Sequence, residues 1–156
     1  MRKNIVMTGA IIAILIVSSI GGIFYLTHSN KRVPQGSRAI INDTVFNIEV
    51  ASSVIAQAHG LSERESLDED AGMLFVFNNE IERTFWMKRM KFPLDIVWVR
   101  DMKIIGVSKN AVPEGAFPTT VYTSPEPVDM VLEINGGLFD IHTINVGDTI
   151  TIKPAS

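Results

Sequence analysis

The chain has 156 residues, no cysteine and a formal net charge of −3 at pH 7. The lack of cysteine excludes a disulfide framework, a thiol nucleophile and cysteine-ligated zinc or iron–sulfur centres. All 17 acidic residues but only 10 of the 14 Lys and Arg lie in residues 33–156. Residues 33–156 therefore carry −7, which argues against a nucleic-acid binder and against a domain drawn to anionic lipid by charge.

In chain order, residues 5–26 come first: 22 residues without a charge, 16 of them apolar, between Arg2-Lys3 and Lys31-Arg32. As a helix this run reaches roughly 33 Å, enough to cross a hydrocarbon core of about 30 Å. The alternative is a cleaved signal peptide, whose apolar region is shorter and ends in a small-residue site. Tyr25-Leu26-Thr27-His28 offers no such site, so residues 1–27 read as a transmembrane anchor. Basic residues flank both ends, so the positive-inside rule barely decides orientation. A single N-terminal span with no domain before it points to a following domain outside the cytoplasm. Residues 28–41, with Pro34, Gly36 and several Ser and basic residues, read as a linker. Residues 42–153 read as one domain. Of the 124 residues from Val33 onward 55 are apolar, enough for one core.

Within the domain, the apolar pattern is mostly that of strands. Phe46, Ile48 and Val50 alternate with polar residues. The runs 73–77, 84–88, 94–99, 103–108, 119–123, 130–134 and 149–153 complete a set of about eight short strands. Ser62 and Glu65 have capping-box spacing and predict one short helix to about Leu67 or Asp68. The expected fold is mainly β: a single antiparallel sandwich or barrel-like domain with one short helix, and long loops at 109–118 and 135–146.

Four segments carry a resemblance: GLSERESL at 60–67, GMLFVF at 72–77, TFWMKRMKFPLDIVWV at 84–99, and VLEINGG at 131–137 with VGD at 146–148. Together they resemble the domain-of-unknown-function family number 192, small bacterial and archaeal proteins that are often exported or membrane-tethered. The resemblance implies a compact, mainly β fold and no assigned activity. Two positions depart from the family pattern. Glu63 stands where Gly is more usual, and Arg89-Met90 stands where Asn-Thr is common.

Five residues are candidates for a ligand site. Asp95 lies in the apolar strand LDIVWV and needs a partner if buried. It is either a pocket acid or one half of an ion pair with Lys88, Arg89 or Arg64. Glu133 raises the same question in MVLEI. If Asp95 and Glu133 converge, they supply the carboxylate pair of a hydrolase. Strand alternation puts Trp86 and Lys88 on one face, a platform for a sugar ring or planar group, with Phe85 and Met87 on the other. Arg64 either binds an anionic ligand or clamps Asp95 or Glu133. His28, His59 and His142 have no metal-ligand spacing, and no phosphate-binding loop or other cofactor motif is present, so neither metal nor cofactor is expected. The leading functional reading is a non-enzymatic binding or accessory module for a small polar or saccharide-like ligand, or for a cell-envelope protein. The alternatives are a small carboxylate-pair hydrolase and a purely structural or interaction domain.

Overall fold

The computed structural model describes residues 32–154. Its elements are β1 (Arg38–Ile41), β2 (Thr44–Ala51), α1 (Val54–His59), β3 (Ala71–Ile81), β4 (Thr84–Phe85), β5 (Leu94–Arg100), β6 (Lys103–Ala111), β7 (Tyr122–Thr123), β8 (Val128–Asn135), α2 (Leu138–Ile141) and β9 (Ile150–Lys153). No helix among the described residues is long and apolar enough to cross a membrane. The apolar segment 5–26, read above as an anchor, lies outside them.

Seven strands form one sheet in the order β6-β5-β8-β3-β2-β1-β9, and β4 pairs with β7 in a separate ribbon. The sheet curls until its two edges meet at one end. Lys103 bridges Thr149, the Ile104 N–H donates to the Asp148 carbonyl at 2.9 Å, and the Ile150 N–H donates to the Met102 carbonyl at 2.8 Å. The curl is that of a half-barrel with one stitched seam.

The burial pattern follows the sequence. In β2, Phe46, Ile48 and Val50 are buried and alternate with exposed Val45, Asn47 and Glu49. By contrast β5 is buried from Leu94 to Val99, and β8 from Val128 to Ile134. These central strands have core on both sides. Inside the curl pack Phe46, Leu74, Val97, Leu132 and Ile134, joined by Phe139 of α2. On the outer side pack Phe75, Met87, Ile96, Trp98 and Val131.

Four expectations need correction. The sheet is not wholly antiparallel, because β2 and β3 run parallel. The chain leaves β2 at Ala51 and returns through the crossover 52–70, long enough for a parallel connection. The end of the presumed linker, residues 38–41, is a strand of the sheet, paired on both edges. Third, the capping-box helix after Ser62 does not form. The Ser62 hydroxyl donates to the Lys88 carbonyl, Glu63 takes a left-handed φ of 68° while its N–H donates to the Arg89 carbonyl, and Glu65 pairs with Lys91. Ties to a distant loop outweigh a local cap worth about 1 kcal/mol. The crossover helix is instead α1, capped by the Ser53 hydroxyl, which accepts from the Ala56 N–H. Fourth, the loop 135–146 holds a second helix, α2.

Gly72 of β3 lies opposite Ile134 in β8, and a Cβ there would stand 2.9 Å from the Glu133 carbonyl oxygen and 3.2 Å from Ile134 Cγ2. Gly72→Ala is therefore expected to destabilise the domain by about 1–3 kcal/mol through overpacking, measured by urea denaturation. A neutral result would show that β3 and β8 can separate without cost.

Candidate functional site

The β5–β8 register decides the fate of the two buried acids. Asp95 lies opposite Ile134, whereas Glu133 lies opposite Ile96. Directly paired residues share a face and neighbours alternate, so Asp95 faces the inside of the curl and Glu133 the outer side. They do not converge, and a catalytic pair of Asp95 and Glu133 cannot act on one substrate.

Asp95 is fully buried and has no cationic partner among the described residues. Its carboxylate accepts the Asn110 N–H at 2.8 Å and the Phe139 N–H at 2.9 Å. The first of these is set free by a β-bulge. Leu94 pairs with Ala111 and Ile96 with Ser108, so one β5 residue faces two on β6. The second belongs to the first turn of α2, where N–H groups lack helical acceptors. Asp95 thus fastens β5 to the bulge and to α2, a structural task. The ion pair expected with Lys88, Arg89 or Arg64 is absent. Arg64 forks onto Glu49 instead, with the second bond at 2.8 Å, and this hydrogen bonding holds the Glu49 carboxyl below its ordinary range. Arg89 pairs with Glu63 at 2.8 Å. Lys88 stands 5.3 Å from the centroid of the Trp86 ring.

Glu133 opens onto a hollow of about 570 Å³ on the outer side of the sheet. Phe75, Phe77, Phe85 and Trp86 supply its aromatic lining, and His59, Glu82 and Arg83 its other charged or titratable groups. The rings continue the core outward: Trp98 and Phe85 meet edge to face at 5.6 Å, and Phe85 and Phe75 at 4.9 Å. Glu133 is 5% exposed and makes no hydrogen bond or ion pair among the described residues. Burial pushes its carboxyl up to about 8. Trp86, by contrast, is 56% exposed at the wall.

Of the five candidates, the structure brings Trp86 and Glu133 together and leaves Arg64, Lys88 and Asp95 outside the lining. Strand alternation misplaced Phe85, because β4 ends there and the chain turns, so that consecutive Phe85 and Trp86 both line the hollow while Met87 is fully buried. Sequence reasoning missed Arg83 and Glu82. The Arg83 guanidinium carbon stands over Phe77, 3.8 Å from the ring centroid, and the group donates to the carbonyl and side-chain oxygens of Asn79 at 2.9 and 2.6 Å. The only sequence signal for it is a basic residue just before the TFWMK block.

Residues 38–152 match the domain-of-unknown-function family number 192, described as uncharacterized ACR, and the chain belongs to that family. Two solved structures are similar. One is a protein of unknown function from Novosphingobium aromaticivorans DSM 12444, 32% identical, covering 84% of this chain and 99% of that one, with a TM-score of 0.68. The other is described as a candidate transcription regulator from Sinorhizobium meliloti 1021, 30% identical, covering 74% of this chain and 91% of that one, also with a TM-score of 0.68. No curated protein matches the chain.

Two stability measurements check this geometry. Asp95→Asn replaces one accepting oxygen by an NH₂ group and is expected to cost about 2–4 kcal/mol in urea denaturation, whereas a pocket acid would leave stability unchanged. Glu133 titrates near 4.5 when unfolded and about 8 when folded. Its folded state holds the proton more tightly, so the stability it contributes is complete below pH 4.5 and is lost as the pH rises through about 8. Glu133→Gln should therefore match the parent near pH 4 and exceed it by roughly 3–5 kcal/mol at pH 9. Parallel pH–stability curves for the two proteins would show that Glu133 is not desolvated.

Proposed function

We propose that the domain is a non-enzymatic binding module whose ligand enters the hollow on the outer side of the sheet. The ligand sets a polar group on Glu133 and packs an apolar or saccharide-like body against Trp86 and the three phenylalanines. The observation that carries this reading is the buried, partnerless carboxyl of Glu133 at an aromatic hollow open to solvent. A buried polar group without a partner costs a few kcal/mol, and a ligand that supplies the missing partner recovers that cost. The volume falls within the usual range for small-molecule sites, about 300–1,000 Å³. The hydrolase reading loses support, since its second carboxylate faces the other side of the sheet and is held by two backbone amides. The description of the Sinorhizobium relative is not carried over, because the −7 over residues 33–156 runs against the positive charge that DNA binding favours.

We also keep residues 5–26 as a membrane anchor with the domain outside the cytoplasm, on the strength of their length and lack of charge. The hollow would then open toward the cell envelope. In this reading Lys88 and Arg89 belong to the scaffold that joins the crossover to the 84–92 loop, and Arg64 ties the crossover to β2 through Glu49.

The test is a thermal-shift screen of the full-length chain against sugars, amines, amino acids and organic acids. A ligand present at 100 times its dissociation constant stabilises by about 2.7 kcal/mol. Trp86→Ala is expected to leave unliganded stability within about 1 kcal/mol, since the ring is largely exposed. It should weaken binding at least tenfold, or about 1.4 kcal/mol. Hits indifferent to both Trp86→Ala and Glu133→Gln would place the site elsewhere.

A further inference from the structure

We propose that the hollow recognises an organic cation, a substituted ammonium group, with the Glu133 carboxylate as counter-ion and the rings of Phe75, Phe85 and Trp86 around its alkyl substituents. This rests on the binding-module reading above and names the ligand's chemistry. The inference comes from asking which charges at the hollow are already spent. Arg83 is held at the wall: its guanidinium carbon stands 3.8 Å over the Phe77 ring, one terminal nitrogen makes two bonds to Asn79, and its Nε is buried. Lys88 is drawn to Trp86 and does not line the hollow. The two carboxyl groups are unspent, since neither Glu133 nor Glu82 has an ion pair among the described residues. An anion would meet two acids and one guanidinium that Phe77 and Asn79 hold against the wall. A cation meets an unmatched carboxyl and aromatic rings, the combination that binds ammonium groups well once water is excluded. The charge of −7 over residues 33–156 also raises the local concentration of cations.

The groups around Glu133 keep its proton balance simple. Across the sheet it meets Met73 on β3 and Ile96 on β5, both uncharged, and on its own strand Val131 and Asn135 share its face. The titratable or charged groups that share the hollow are His59 from the end of α1 and Glu82 and Arg83 from the chain between β3 and β4. Burial keeps most of the Glu133 carboxyl protonated at neutral pH. An entering ammonium stabilises the carboxylate, and the displaced proton leaves to solvent, so each cation bound below pH 8 releases up to one proton. Affinity must then rise with pH, about tenfold per unit well below 8, and level off above it.

Titration calorimetry of the full-length chain tests this, with choline, its uncharged tert-butyl isostere and acetate as probes, between about pH 6 and pH 9. A His59→Gln background removes the histidine's own protons. The expected result is choline binding at least tenfold tighter than the isostere, strengthening with pH and releasing protons to the buffer. Glu133→Gln should bring choline down to the level of the isostere while leaving the isostere unchanged. Equal binding of choline and isostere, affinity flat or falling with pH, or a preference that survives Glu133→Gln would each overturn the inference. Isostere or acetate binding that depends on Trp86 while choline fails would sink the cation and spare the binding module. Failure of every probe at millimolar concentration would overturn the cation, and a blank in the sugar arm of the thermal-shift screen as well would overturn the binding module.

Discussion

Strands β5 and β8 are buried on both faces, so every polar side chain they carry must find its partner inside the protein or go without. Asp95 and Glu133 are the two strong cases, and the register sends them to opposite faces. On the inner face Asp95 meets amides that the fold has left unpaired, one at a bulge and one at a helix start, and satisfies both. On the outer face Glu133 meets apolar side chains and an opening. Two carboxylates in similar sequence settings thus become a fastening on one face and the floor of a hollow on the other.

The opening exists because of how the outer face is covered. The inner face is closed by the curl itself and by α2, whose Phe139 enters the inner core. Among the described residues, the outer face is covered by the crossover, the β4–β7 ribbon and the 84–92 loop. The crossover is joined to the loop by Ser62 on the Lys88 carbonyl, by Glu63 with Arg89 and by Glu65 with Lys91. Exposed ion pairs of this kind contribute little one by one; here they set the edge of the cover. What the cover leaves open is the patch above Glu133, walled by rings that continue the outer core.

The parts of the fold legible in the sequence are those governed by local pattern. Alternation at Phe46, Ile48 and Val50 gave a one-sided strand, and continuous apolar runs gave the central ones. The strand Arg38–Ile41 was hidden because four residues after a Pro- and Gly-containing stretch carry too little pattern, and only pairing with β2 and β9 makes them a strand. The Ser62–Glu65 cap was a true local signal, overruled by contacts with residues 88–91, more than twenty positions away. At the site, Trp86 and Glu133 stood out because an exposed aromatic and a lone acid in an apolar strand each break a local rule. Arg83 broke none and was invisible until Phe77 and Asn79 were placed around it.

The sequence by itself determined that the chain carries a mainly β domain of this family, and that Asp95 and Glu133 each need an explanation. Those conclusions follow from composition, periodicity and the four segments of resemblance, all of which are properties of neighbouring residues. Only the tertiary structure decided which acid is held by backbone amides and which faces the outer hollow. That outcome depends on strand register, where a shift of one residue would exchange the two faces, and on the direction of a crossover, both set by contacts between residues far apart in the chain.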